Sequence, residues 1–379
     1  MRENKMIQNS RLFAPILEYG FRLAYTTLHL ILSILLKNVS RKKPWVIFGS
    51  EFGEESSHIK GVLPKFIESC DADVFFYDKK LRRLRRLGAQ EQIYGRFASL
   101  RMRLEASVYV VTHNIRDIFV MKPPHTTLIN LWHGIPIKPI GFDSQIERAM
   151  LARVKRRTGY YPYEQWDHLI CYSEHHKALM VSATRGMCKN YSILGNPMVA
   201  APRVKANKKK YVVYLPTFRN KPVNDFLLLK NYAELSLEIT SGKAADCTQI
   251  LKKHPSSPSE GLPSGLSKII SNETVSSLLN KASILVTDYS SVIFEAIALK
   301  IPVILYRPDA REYLETYGEL YDLPYNPNVK ETTACREAAG LINQLLMKDQ
   351  AFEISELTTV ETFRADKFVD LVKDCLLQR

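Results

Sequence analysis

The chain reads as an α/β protein made of two Rossmann-like halves that face a cleft. Three observations predict this class. From about residue 45 onward, short β-rich runs alternate with helical segments, the pattern of a mostly parallel sheet covered on both faces. The alternation comes as two series, parted by the basic, Pro-containing stretch APRVKANKKK (201–210), which reads as a linker. Polar turns stand where several of these runs end, which is where open α/β sheets bind ligands.

An apolar segment, Leu12 to Leu36, precedes the first series and is interrupted by Glu18, Arg22 and His29. Its cleanest part, Leu23 to Leu36, is shorter than the ~20 residues a spanning helix needs. Basic residues flank it: Arg2, Lys5 and Arg11 before, Lys37, Arg41, Lys42 and Lys43 after. No small-residue cleavage site follows it. The expectation is a membrane-associated amphipathic or re-entrant helix (1–43) in the cytoplasmic face, peripheral or monotopic, with a helix buried on the first half or a single span as the alternatives.

The first half (44–200) carries candidate strands at WVIFGS (45–50), DVFFYD (73–78), VYVVTH (108–113), TLINLWH (127–133), LICYS (169–173) and YSILG (191–195). The second half (211–345) carries KYVVYLPT (210–217), QILKKHP (249–255), SILVTDY (283–289) and PVILYR (302–307). The remainder (346–379) reads as a helical segment without a strand partner. In KKLRRLRR (79–86), leucines stand between charges, which suits a helix lying on anionic lipid; RVKRR (153–157) is a second basic run.

The chain has 379 residues and a formal net charge of +14, so its partners are expected to be anionic: a phosphate-rich substrate or an acidic membrane surface. No zinc-finger, RNP or helix-turn-helix signature accompanies the charge, and no nucleic-acid partner is expected. The six cysteines form no CxxC pair and read as reduced, mostly buried thiols.

Four motifs carry chemistry. SILVTDYSSVIFEAIALKIPVILY (283–306) reads as strand, polar turn, helix, strand. Ser290 and Ser291 add hydroxyl donors where a helix start favours phosphate, and Glu295 is placed to accept from ribose hydroxyls. NLWHGIPIKPIGFD delivers His133 to a strand end, where imidazole serves as a general base near neutral pH. YLPTFRN puts Arg219, a fork suited to phosphate oxygens, after the first strand of the second half. LKKHPSS closes a strand with His254.

Together and in this order, WHGIPIKPIGFD, YLPTFR, KKHP and VTDYSSVIFEAIALKIPVILYRPD resemble the CDP-glycerol glycerophosphotransferases of teichoic acid and capsule synthesis, as does REYLETYGELYDL (311–323). The resemblance spans roughly Trp45 to Leu323. It implies a GT-B fold at the cytoplasmic membrane surface, a CDP-alditol donor and a lipid-linked saccharide or polyol-phosphate acceptor. It implies His133 as general base and Lys138 and Asp143 on the acceptor side. Arg219, His254, Ser290 and Ser291 would hold the donor pyrophosphate, and Glu295 the ribose. Asp288 would cap and orient the turn. Attack falls on the alditol-bearing phosphorus, and CMP leaves. Such transfer needs positioning and charge compensation, which Arg, His and a helix N-terminus can supply, so neither metal nor cofactor is expected. CDP-ribitol use, a nucleotide-sugar transferase on the same fold, and a non-enzymatic membrane adaptor are the alternatives. Two stretches depart from the family pattern: EFGEESSHIKGVLPKFI after Gly49, and LGNPM (194–198). Both fall in the half expected to contact acceptor.

Overall fold

A computed structural model describes residues 43–377, apart from 55, 89, 120, 200–208, 220–221, 243–245, 254–265, 324–325 and 348–360, together with residue 27. The expected membrane-associated helix apart from residues 27 and 43, most of the expected linker and His254 therefore lie outside the described residues. Among the described residues, no helix is long and apolar enough to cross a membrane. The chain divides into two compact units.

The first unit is built on an eight-stranded sheet of order β4-β3-β2-β1-β5-β6-β7-β8. Its elements are β1 (Lys43–Gly49), α1 (Ser57–Ser69), β2 (Asp73–Asp78), β3 (Arg83–Arg86), β4 (Gln92–Tyr94), α2 (Arg96–Glu105), β5 (Ala106–Val111), β6 (Thr127–Asn130), α3 (Gln145–Thr158), β7 (His168–Cys171), α4 (Glu174–Thr184) and β8 (Asn190–Ile193). All neighbours pair parallel except β3, which is antiparallel to β2 and β4. The central strands are apolar throughout because both faces are covered. In β1, Val46 and Phe48 turn to one core with Ile59, Val62 and Phe66 of α1, while Ile47 turns to the other with Tyr109, Met102 and Trp166.

KKLRRLRR is not the lipid-lying helix its spacing predicts. Asp78 Oδ1 accepts from the Leu81 amide at 2.9 Å, Arg82 turns the chain at φ +51°, and Arg83–Arg86 joins the sheet as β3. Two of its six charges also find ion-pair partners: Arg85 pairs with Glu54 and Glu91, and Arg86 with Asp73. Buried Leu84 anchors the strand. RVKRR lies in the last turns of α3, where cations complement the helix C-terminus, and Gly159 closes it at φ +87°.

The second unit holds a five-stranded parallel sheet of order β10-β9-β11-β12-β13. Its elements are β9 (Tyr211–Leu215), α5 (Pro222–Thr240), β10 (Thr248–Leu251), α6 (Val275–Lys281), β11 (Ile284–Thr287), α7 (Val292–Ala298), β12 (Val303–Tyr306), α8 (Ala310–Tyr317), β13 (Val329–Thr332) and α9 (Cys335–Met347). Leu228, Tyr232 and Leu235 of α5 and Ala338 and Ile342 of α9 pack on Val212, Tyr214 and Val286. Residues Gly134–Pro139 belong to this unit as well.

The chain then returns to the first unit. Sequence set 346–379 apart as a helical segment, but α10 (Ala365–Leu377) buries Phe368, Val369 and Val372 in the core under α1. The Arg364 amide donates to Leu194 O at 2.7 Å.

The two stretches that depart from the family pattern meet in this unit. A Cβ at Gly61 of α1 would collide with the carbonyl oxygen of Pro197, so only glycine lets the LGNP loop seat on the helix. Gly61→Ala is expected to destabilise the protein by about 1–3 kcal/mol through overpacking. A shifted urea-unfolding midpoint at constant slope checks this; an unmoved midpoint means the loop gives way without cost.

Candidate active site

The WHG motif is placed by strand register. Val111 of β5 pairs with Asn130 of β6, so Thr112-His113 and Leu131–His133 leave the sheet side by side. Asn130, fully buried, clamps both exits: its Nδ2 donates to His113 O at 2.9 Å and its Oδ1 accepts from the Trp132 amide at 2.8 Å. Trp132 is held at φ +60°, a left-handed conformation that a bulky residue adopts only under such constraint.

His133 Nδ1 lies 3.0 Å from the carbonyl oxygen of Thr112. A carbonyl only accepts, so Nδ1 carries the proton and Nε2 keeps its lone pair. The ring stacks on His113 at 4.0 Å and 13° and meets Trp132 at 4.4 Å. It is exposed at the surface, yet desolvation by the surrounding protein lowers its pKa from the ordinary 6.5; the Thr112 bond and the charge of Glu51 oppose this. A neutral imidazole with a lone pair available at Nε2 is the state a general base needs.

Two more histidines of this unit lie close enough for their charge to be felt with that of His133. His176 Nδ1 accepts from the Tyr172 amide at 3.0 Å, and the Tyr172 hydroxyl donates to Leu131 O at 3.0 Å. His58 stacks on Tyr172 at 6.1 Å. Burial, and then neighbouring histidine charge, pushes both His58 and His176 down to about 3, so both stay neutral. His58, His113 and His176 were not singled out in the sequence, where none of them stands in one of the four motifs. Asp117 Oδ2 accepts from the Thr112 and His113 amides at 3.1 and 2.9 Å and fixes that loop. Among the described residues, Glu51, His113 and Asp117 bring ligand atoms within 4.8 Å of one another, a geometry able to hold a metal. The positive charge of Lys79 also reaches His113 and Asp117.

In the second unit, the TDYSS turn joins β11 to α7. Asp288, with no exposed surface, accepts from the Thr217 amide at 2.8 Å and from the Tyr289 amide at 2.6 Å. Arg219 Nη2 donates to Asp288 Oδ2 at 2.8 Å, its Nε to Asp309 Oδ2 at 2.6 Å and its Nη1 to Thr217 O at 2.6 Å. The guanidinium also lies over the Tyr289 and Tyr313 rings, which stack at 3.5 Å. Burial opposes its charge, but Asp309 and Asp288 outweigh burial and push its pKa up. Arg219 is thus committed to holding the YLPTFR loop on the TDYSS turn rather than offered as an open phosphate fork.

Ser290 and Ser291 stand half-buried at the turn, and Glu295 is buried on α7. At seven residues α7 is short, so the turn offers hydroxyls and amides more than a long-helix field. Gly134, at φ +144°, packs against this turn; a Cβ there would lie 2.7 Å from Ser291 Oγ. Lys138 and Asp143 belong to different units. Lys138 Nζ lies over the Tyr317 ring at 5.6 Å in the second unit, whereas Asp143 in the first accepts from Ser182 Oγ at 3.0 Å.

Replacing Arg219 by Met leaves Asp288 as a buried carboxylate without its cation. The expected loss is about 3–5 kcal/mol of unfolding free energy. Chemical denaturation measures it; a loss below about 1 kcal/mol would mean the pair is not structural.

Similarity to known proteins agrees with these motifs. A teichoic acid poly(glycerol phosphate) polymerase of Bacillus spizizenii strain W23 is 26% identical over 239 residues, 56% of this chain and 59% of that protein. A teichoic acid glycerol-phosphate primase of Bacillus subtilis strain 168 is 25% identical over 59% of this chain and 60% of that protein. The chain thus spans about 60% of the length of these relatives. The solved wall teichoic acid polymerase TagF superposes with a TM-score of 0.66 at 18% identity, covering 96% of this chain and 99% of that one. This likeness establishes the α/β fold alone. The family described as CDP-glycerol:poly(glycerophosphate) glycerophosphotransferase matches residues 41–366, and the chain belongs to that family.

Proposed function

We propose that the protein transfers glycerol phosphate from CDP-glycerol to a lipid-linked saccharide or polyol-phosphate acceptor, in teichoic acid or capsule assembly. The carrying observation is His133: its Nδ1 proton is engaged by Thr112 O, and its Nε2 lone pair is available on an exposed ring. His133 Nε2 takes the proton of the acceptor hydroxyl. The oxygen attacks the glycerol-bearing phosphorus, a new P–O bond forms, and the bond to the bridging oxygen breaks with its electrons leaving on CMP. The proton on His133 then passes to solvent. Ser290 and Ser291 bind the pyrophosphate, Glu295 the ribose, and His254 adds positive charge on the donor side. Asp288 and Arg219 hold the turn in shape. Lys138 and Asp143 serve the acceptor side. In this reading the two units form a GT-B pair, one carrying the base and the other the donor turn. A structure of TagF soaked with CDPG supports the donor class.

The enzyme works at the cytoplasmic face of the membrane as a peripheral protein. Support comes from the Leu12–Leu36 segment and from Phe97, 87% exposed, beside Arg96. Transfer proceeds without a resident metal, since Lys79 already places a cation near the Glu51–His113–Asp117 cluster.

Purified protein given CDP-glycerol and a lipid-linked acceptor is expected to release CMP, and His133→Ala to lower kcat by roughly 10²–10⁴-fold, the ordinary worth of a general base. Near-normal turnover in the variant would remove the base assignment. Parallel CDP-ribitol and nucleotide-sugar assays, read by product mass, test the donor. Activity is expected to survive EDTA; loss restored by a divalent cation would overturn metal independence.

A further inference from the structure

A pocket of about 190 Å³ opens at the C-terminal ends of β1 and β2, the ligand-binding edge of a parallel sheet. It is smaller than the roughly 300 Å³ at which drug-sized ligand sites begin, so it suits a single phosphate group with its flanking carbons. Its bases outnumber its acids, four to three. Glu54 is tied to Arg85, and Asp78 Oδ1 is used by the Leu81 amide. Lys79, Lys80 and Arg83 remain on the lining with no ion-pair partner among the described residues, three cations against the two carboxylates of Glu51 and Asp78.

The pocket adjoins the candidate base. Phe52, on its wall, meets His113 edge-on at 5.0 Å, and His113 stacks on His133 at 4.0 Å. Ser50, also on the wall, is bonded to Thr112 at 2.9 Å, whose carbonyl holds His133. The wall is formed by EFGE, the start of the stretch in which this chain departs from the family pattern.

We infer that this pocket is an acceptor subsite that binds a phosphodiester upstream of the attacking hydroxyl, with Lys79, Lys80 and Arg83 as its cations. The inference rests on the polyol-phosphate reading of the acceptor and deepens it. The subsite makes the enzyme prefer acceptors that already carry glycerol phosphate units.

The test compares the full chain with K79A/K80A/R83A. With CDP-glycerol saturating, kcat/KM is measured for two lipid-linked acceptors, one carrying three glycerol phosphate units and one carrying none. The variant is expected to lose roughly tenfold or more in the ratio of the two, and to lose binding of synthetic tri(glycerol phosphate) in isothermal titration. An unchanged ratio with unchanged titration overturns the subsite. So does loss of binding to phosphatidylglycerol vesicles with tri(glycerol phosphate) binding intact, which assigns the cations to lipid headgroups. If the wild-type chain releases no CMP, the transferase reading fails separately, and the titration alone decides the pocket.

Discussion

One hydrogen bond sets the chemistry of the candidate site: the one His133 Nδ1 donates to Thr112 O. It fixes which nitrogen holds the proton, and so which nitrogen can accept one. The bond exists because β5 and β6 are parallel neighbours in a register that carries Thr112 and His133 off the sheet together. Asn130 then locks the two exits to each other, at the cost of a left-handed tryptophan. Below them, neutral His58 and His176 add no positive charge beside a ring whose pKa burial already lowers.

The second unit is organised by a different constraint. Arg219 and Asp288 are both nearly fully buried, and neither tolerates loss of the other. Asp309 completes the pair, and the stacked Tyr289 and Tyr313 rings close over the guanidinium. The result is a rigid turn on which Ser290 and Ser291 sit. Two motifs that are 69 residues apart in sequence thus form one structural element.

The central strands were legible because both faces of each sheet are covered, and continuous apolar runs such as DVFFYD mark themselves. The edge was not. Arg83–Arg86 has one fully buried residue, and Arg85 and Arg86 pair with acids distant in sequence, so its charge hid a strand. VKET of β13 carries too little apolar character to register as a strand. In the site, His133 and Ser290–Ser291 were readable because each sits beside a strand-ending signal. His58, His113 and His176 were not, since β5–β6 adjacency and the packing of α1 and α4 bring them near His133, and no local pattern reports that. Arg219 was found as a residue, but its commitment to Asp288 and Asp309 appears only in three dimensions.

The protonation state of His133 tests the account most directly. Proton–nitrogen correlation spectra of the full chain, with His133→Gln for assignment, report both its tautomer and its titration. The account predicts an Nδ1–H neutral ring whose pKa lies below 6.5. An Nε2–H tautomer, or a pKa above 6.5, would contradict it, because the nitrogen left to accept the proton would then be the one bound to Thr112, or the ring would be charged where a base is required.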